Sequence, residues 1–310
     1  MTNVLSPKLP PNIEKWLDVE LPEGRCVGVG VRNEDECFPN SENDHGEGET
    51  STHDPFEERF DWMTTVYHPG EIQFAMSNLK KASRTSFWLG RLALRTALDF
   101  PSYPVLKDEY GRPKLMIHDD ITMLGSISHK QHRGVALVAS TETVHAASVF
   151  DDHDHLVLVG IGVDLEMTCR PGRLSIAKRI LTPSERKALG RIKLPNVSTD
   201  EEEVLLRFSL KEAIYKAVHP ILNQYVGFQE AEVTPHADGT ATCIWMLQDS
   251  VTQPVESIAK LTAHWQRITL DGGGNENDGY DFFLTSASVY TAKSLQTHCN
   301  KIMQDGNETM

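Results

Sequence analysis

The run LVLVGIGVDLE, residues 156–166, constrains the fold of this chain more than any other stretch. It is apolar or glycine until its two acids, too short for a membrane span, and reads as a long buried strand. Side chains alternate faces along a strand, so Asp164 and Glu166 project from the same side. A buried strand that delivers two carboxylates to one spot needs a cation, because two close like charges do not both stay ionised cheaply. Hard oxygen ligands of this kind suit Mg²⁺. The alternative is a strand that simply leaves the core into solvent.

Around this strand the pattern is α+β, in two comparable halves with a seam near residues 150–165. CVGVGV (26–31) reads as a first strand. Residues 71–100 carry apolar side chains at three-to-four spacing, with Lys80, Lys81, Arg84, Arg91 and Arg95 among them, and read as helical. VLKDEYGRPKLMI resembles two short strands around a turn. MLGSISH (123–129), GVALVAS (134–140) and VHAASVF (144–150) follow as strands. After 156–166 come the helical patterns LSIAKRI, TPSERKALG with a Thr cap and a first-turn proline, and the helix holding FSLKEAIYKA (208–217). The remainder is again strand-like: FQEAEVTPH, TATCIWML, KLTAHWQRI and DFFLTSASVY. The expected organisation is an N-terminal segment with the first strand (1–32), an acidic insertion (33–61), a first α+β subdomain (62–155), a second (156–291) and a polar tail (292–310).

The formal net charge of −14 belongs mostly to the insertion. Between Glu34 and Asp61 stand eleven acidic residues and one arginine, which leaves 33 acidic and 29 basic residues elsewhere. Few large apolar side chains occur there, so the segment is expected to be disordered. The five cysteines are scattered, odd in number and without CxxC spacing, which favours free thiols in a reducing compartment over a disulfide framework or zinc site. The N-terminus has neither a signal-peptide nor a transit-peptide profile. A cytoplasmic location is expected, with no membrane span.

Three motifs carry chemistry. GIGVDLE offers the paired carboxylates. GSISHKQHRG places Ser128, His129, Lys130, His132 and Arg133 at a strand end and tight turn, where hydroxyls and cations could hold a phosphate. A solvated hairpin turn is the plain alternative, and no GxSxG elbow supports a serine nucleophile. In FSLKEAIYKA, Glu212 and Lys216 share a helix face at i,i+4 and can act on one substrate, although an exposed pair of this kind is common and worth a few tenths of a kcal/mol. DDHDH (151–155) is most simply a polar turn. GGGNENDG (272–279) lacks the lysine and strand-to-helix context of a phosphate loop. No aromatic–basic stripe points to nucleic acid.

Taken together and in order, GRPKL, SISH, GVDLE and FSLKEAIYK resemble the 4′-phosphopantetheinyl transferases, which activate carrier proteins of fatty-acid, polyketide and nonribosomal peptide synthesis. WLGRLALRTAL and KAVHPILNQYVGFQEAEV are similar in particular to the subgroup named for the enterobactin synthetase activator, whose context is siderophore biosynthesis. The resemblance runs from about Arg84 to Val233. It implies two similar α/β subdomains in a pseudo-twofold arrangement, with coenzyme A in the cleft between them and a monomer sufficient. It implies a Mg²⁺-dependent transfer of 4′-phosphopantetheine from coenzyme A to a serine of an apo acyl, peptidyl or aryl carrier, releasing 3′,5′-ADP. By the match, Asp164 and Glu212 hold Mg²⁺, with Glu166 a direct or water-mediated third ligand. Glu212, or a water it orients, takes the serine proton; Lys216 neutralises the phosphate under attack, with Lys211 as nearby support. His129, with Ser128 beside it, matches the contact to the 3′-phosphate of coenzyme A. Arg112 matches a basic residue on the nucleotide's phosphates, and Arg84 and Arg91 resemble the helix arginines that complete that pocket.

Two positions depart from the family's habit: Phe208 where tryptophan is frequent, and Lys130 where a small residue or cysteine is. The acidic insertion is also unusual; carrier proteins are themselves acidic, so it is expected to lie away from their docking surface or to modulate partner choice. Two other classes remain open at this point. A metal-dependent phosphohydrolase could use the same carboxylates, and would release product without a carrier. A decayed, non-enzymatic interaction module should have lost at least one of Asp164, Glu166, Glu212, Lys216 and His129.

Overall fold

Strand β1 (Ile13–Leu21) and strand β2 (Gly24–Val31) form an antiparallel hairpin in which Ile13 lies opposite Val31 and Leu21 opposite Gly24. The computed structural model describes residues 9–10, 12–31, 60–109, 111–115, 123–141, 156–169, 174–246, 258–270 and 280–292. The expected acidic insertion (but for its last two residues), the VHAASVF strand, DDHDH, GGGNENDG and nearly all of the tail lie outside the described residues. The sequence pattern led with the strand at 26–31; β1 was not read from it, because a register shift between Lys15 and Leu17 breaks its alternation.

The described chain falls into two compact units, the first built mainly on residues up to Lys114 with Gly125–Val138, the second mainly on Ala139–Ile268 and Asp281 onward. In the first unit, β3 (Met123–Lys130) and β4 (Arg133–Ser140) complete a four-stranded sheet of order β1-β2-β4-β3. Gln131, at φ 51°, makes the tight link between them. Among the described residues, three helices precede β3: α1 (Phe60–Val66), α2 (Pro69–Asn78) and α3 (Lys81–Ala97). The single helical run expected over 71–100 is therefore broken. Leu79 and Lys80 both adopt extended backbone, which ends α2 and starts α3. The His68 side chain accepts from the Gly70 amide, while Glu71 accepts from the His68 amide at 2.8 Å, closing a capping box. Glu71 is fully buried and also receives Arg95 Nη1 at 3.1 Å. Of the two strands expected around Tyr110–Pro113, Tyr110, Met116 and Ile117 lie outside the described residues, which show a bridge between Lys107 and Pro113.

In the second unit the sheet order is β5-β9-β8-β7-β6, from β5 (Leu156–Met167), β6 (Ala231–Pro235), β7 (Thr240–Trp245), β8 (Lys260–Leu270) and β9 (Tyr280–Ala292). Two short helices follow β5: α4 (Leu174–Ile180) and α5 (Pro183–Ala188), the latter opened by a Thr182–Glu185 capping box. The 23-residue α6 (Asp200–Leu222) then crosses the sheet. Four acids in its first turn favour the positive end of the helix dipole, Thr199 caps it, and Asn223 in the left-handed region ends it. Leu205, Leu206, Leu210, Ile214 and Val218 bury one face of α6 against Val233, Trp265, Phe283, Ala287 and Val289 of the sheet. Such leucine and isoleucine side chains stabilise by roughly 1.5–3 kcal/mol each when fully buried.

No helix among the described residues is long and apolar enough to cross a membrane. Cys26, Cys169 and Cys243 are free thiols.

Candidate active site

Residues Gly160, Gly162, Asp164 and Glu166 are two apart and share one face of β5. A Cβ on Gly162 would lie 1.8 Å from the Ala213 carbonyl oxygen, and one on Gly160 2.1 Å from that of Ala217. Glycine at these two positions is therefore what lets the α6 backbone lie directly on the strand. Ala213 and Ala217 are four apart on the helix, and the next position in that row towards its N-terminus is Ser209. The packing thus slides α6 along β5 until its KE segment stands beside the two acids.

Asp164 and Glu166 are each 5% exposed, so the strand does not run out into solvent. Asp164 Oδ2 accepts from Ser209 Oγ at 2.9 Å, and Oδ1 from Lys216 Nζ at 2.9 Å. Lys216 Nζ also donates to the Val163 carbonyl at 2.8 Å. Glu212 is half-buried on the same helix. Burial raises its pKa above the ordinary carboxylate value; the Lys216 ammonium opposes this, and the charges of Asp164 and Glu166 add to it. Four sequence-predicted residues are therefore coupled at one place: Asp164, Glu166, Glu212 and Lys216.

Three carboxylates form a donor set suited to a hard divalent cation. In the arrangement seen, no three His, Cys, Asp or Glu side chains among the described residues are gathered into a metal-holding group. Asp164 instead turns its oxygens to Lys216 and Ser209, so the Lys216 ammonium provides the nearby positive charge.

Lys211 goes elsewhere. The residue is 3% exposed, and its ammonium donates to the Ile180 carbonyl (2.9 Å), Glu185 Oε2 (2.7 Å) and the Phe228 carbonyl (2.8 Å). All three protons thus have protein acceptors, and burial lowers its pKa. The helix motif splits accordingly: Glu212 and Lys216 reach the acids of β5, while Lys211 joins α6 to α4 and α5.

The remaining predicted residues belong to the first unit. Arg91 is 6% exposed, donates from Nε to the Val105 carbonyl (3.1 Å) and stacks on Phe87, with Cζ 4.5 Å from the ring centroid. Its Nη2 is buried without a hydrogen-bond partner, and burial brings its pKa down to about 10. Arg84 donates to the carbonyls of Leu79 and Met76, both at 3.3 Å, closing the end of α2. Arg112 is held by Asp108 through its amide and Nε, both at 2.8 Å. Ser128 is buried and His129 is exposed at the end of β3. The basic turn after them is less available than its composition indicates. Arg133 Nη1 is bound to Glu14 at 2.7 Å, and burial, with Arg133 nearby, pushes the His132 imidazole down to about 4.

Ser209 and Thr285, the hydroxyls behind Asp164, are absent from the sequence reading. Their signal was present as small residues at 209, 213 and 217, matched to GxGxD on the strand. Small residues four apart ordinarily indicate close packing alone.

Residues 160–269 match the family model of the 4′-phosphopantetheinyl transferase superfamily. That segment begins at the first glycine of the close approach and contains Asp164, Glu166, Glu212 and Lys216. A curated relative, the 4′-phosphopantetheinyl transferase PptT of Mycobacterium tuberculosis, is 28% identical over 160 residues. The match spans 51% of this chain and 60% of the length of that relative. Solved structures that align include a holo-(acyl-carrier-protein) synthase from Bacillus anthracis, at 21% identity, 43% of this chain, 97% of that chain and a TM-score of 0.27. Holo-ACP-synthase from Plasmodium yoelii aligns at 14% identity, 44% of this chain, 97% of that chain and a TM-score of 0.28.

Proposed function

We propose that this chain transfers the 4′-phosphopantetheine group of coenzyme A to the serine hydroxyl of an apo carrier protein, leaving 3′,5′-ADP. One observation carries the reading: Asp164, Glu166, Glu212 and Lys216 meet at a single place, inside the segment that matches the transferase superfamily. In this proposal Asp164, Glu166 and Glu212 hold Mg²⁺. When bound, the cation supplies neutralising charge for the pyrophosphate of coenzyme A.

The rest of the chemistry falls to side chains. The carrier's serine is a poor nucleophile at neutral pH and needs a base within hydrogen-bond reach. Glu212, or a water it orients, is that base; it stands beside Asp164 and Lys216 on the same face of the site. The serine oxygen forms a bond to the β-phosphorus of coenzyme A, the bond from phosphorus to the bridging oxygen breaks, and 3′,5′-ADP leaves with that oxygen. Lys216, whose ammonium donates to the Val163 carbonyl, offers positive charge to the phosphoryl group under attack, a transition state that depends on positioning and charge more than covalent help. Ser128, His129, Arg112, Arg84 and Arg91 bind the phosphates of coenzyme A. The buried, unbonded Nη2 of Arg91 supports an anion there, since a buried donor without a partner costs about 1–3 kcal/mol.

A cytoplasmic setting and the enterobactin-synthetase-activator subgroup are the finer parts of this proposal. Charge also supports an acidic carrier as partner. Over residues 174–194, Lys178, Arg179, Arg186, Lys187, Arg191 and Lys193 are all exposed, and the single acid, Glu185, is buried against Lys211.

Intact-mass spectrometry of an apo carrier incubated with the protein, coenzyme A and Mg²⁺ tests the reaction. The expected result is a gain of one phosphopantetheine, lost with Glu212→Gln. Release of 3′,5′-ADP without carrier, and no mass gain on fatty-acid, polyketide or peptide carriers, would replace this reading with a phosphohydrolase.

A further inference from the structure

The row of small residues that α6 lays on β5 is Ser209, Ala213 and Ala217. Ala213 sits over Gly162 and Ala217 over Gly160, where only close approach matters. Ser209 is fully buried and comes opposite the carboxylate, and there the small residue carries a hydroxyl. Packing alone would be served as well by a third alanine.

That hydroxyl is itself held. Thr285 lies opposite Asp164 in the β5–β9 register, so the two side chains share a face of the sheet. Thr285 Oγ1 is fully buried, 2.9 Å from Ser209 Oγ and 2.9 Å from the Ser209 carbonyl. Two hydroxyl protons serve three contacts, and their directions follow from the acceptors. An ionised Asp164 only accepts, so the Ser209 proton points to Oδ2. Ser209 Oγ can then only receive from Thr285, whose single proton is divided between that oxygen and the carbonyl. The chain Thr285–Ser209–Asp164 therefore has one polarity, and it fixes the plane of the carboxylate from the side away from Lys216.

We propose that Ser209, backed by Thr285, is a positioning residue that orients the Asp164 carboxylate for its cation and for Lys216. The kinetic part of this inference rests on the transferase reading; the structural part does not. Partners of this kind behind a ligating carboxylate typically change metal affinity or activity by about 10- to 100-fold.

The test uses the full-length chain with Ser209→Ala, Thr285→Val and Thr285→Ser. In Ser209→Ala, Mg²⁺ affinity measured calorimetrically without coenzyme A is expected to fall about tenfold. kcat is expected to fall by a factor within about 10–100, with KM for the carrier unchanged. A crystal structure of the variant should show the Asp164 carboxylate rotated out of its wild-type plane. Thr285→Val should follow in the same direction, and Thr285→Ser, which keeps the hydroxyl, should restore both constants. Wild-type Mg²⁺ affinity and kcat in Ser209→Ala, with the carboxylate unmoved, would overturn the proposal and leave Ser209 a packing residue. Should Ser209→Ala not fold, the Thr285 pair decides: equal constants in the Val and Ser variants reject the relay. If the wild type transfers nothing to any carrier, the transferase reading falls, while the Asp164 orientation in Ser209→Ala still decides this one.

Discussion

Glu212 and Lys211 are neighbours in sequence with opposite fates, and both consequences are measurable. Burial makes the folded chain hold the Glu212 proton more tightly than the unfolded chain does. For a carboxyl with a raised pKa, stability is lost as pH rises through that pKa and regained as pH falls below the ordinary value. In metal-free buffer, Glu212→Gln should therefore melt higher than wild type at pH ~8, with the gap closing towards pH ~4. A constant gap in thermal melts across that range would remove burial of the charge as the cause. Lys211→Met acts on the fold instead, because it takes a donor from the buried Glu185 carboxylate and from the Ile180 and Phe228 carbonyls, while Arg207 at 3.7 Å still faces Glu185; a loss of about 1–3 kcal/mol is expected in urea titrations. Lys216→Ala acts on both fold and site: in metal-free buffer it leaves the buried Asp164 carboxylate without its cation, so melting temperature should fall, and transfer to the carrier should fall steeply.

At the scale of elements, the site depends on how closely α6 rests on β5. Gly162→Ala puts a methyl group where the Ala213 carbonyl stands, and the helix has to move away. Overpacking of this kind costs about 1–3 kcal/mol, and a displacement of about 1 Å in a positioned catalytic group costs about a hundredfold in rate. Gly162→Ala should thus lose both stability and kcat, read by melting and by carrier modification at saturating coenzyme A. Full kcat in the Gly162→Ala variant would show that Glu212 and Lys216 do not depend on this approach. The elements themselves were largely legible beforehand: the strands at 123–130, 133–140 and 156–167 and the capped α5 follow from alternation and from Thr-Pro at a helix start. The break at Leu79–Lys80 was not, because apolar spacing continues across it and neither glycine nor proline marks it.

For the molecule as a whole, charge is divided unevenly, and the exposed basic stretch over 174–194 stands out in a chain of net charge −14. If an acidic carrier docks there, its KM should rise with ionic strength, since exposed charges are screened over about 10 Å at 0.1 M salt. Arg179→Glu with Lys187→Glu should raise that KM about tenfold and leave the affinity for coenzyme A unchanged; equal effects on both would argue against docking at this face. Binding of Mg²⁺ to the folded form alone should stabilise it, by about 2.7 kcal/mol at a hundredfold excess over Kd. Calorimetric melts with and without EDTA measure this directly.

The sequence by itself determined that Asp164 and Glu166 leave the same face of one strand, because strand side chains alternate. It also determined that Glu212 and Lys216 share a helix face, because i and i+4 do. Both are local periodicities and need no knowledge of what packs where. Only the tertiary structure decided that Lys216 pairs with Asp164, that Lys211 turns away to Glu185, and that Ser209 and Thr285 stand behind the carboxylate. Those relations join residues 26 to 76 positions apart, and they depend on the register at which α6 settles on β5. Two glycines set that register by allowing a backbone contact that any side chain would block.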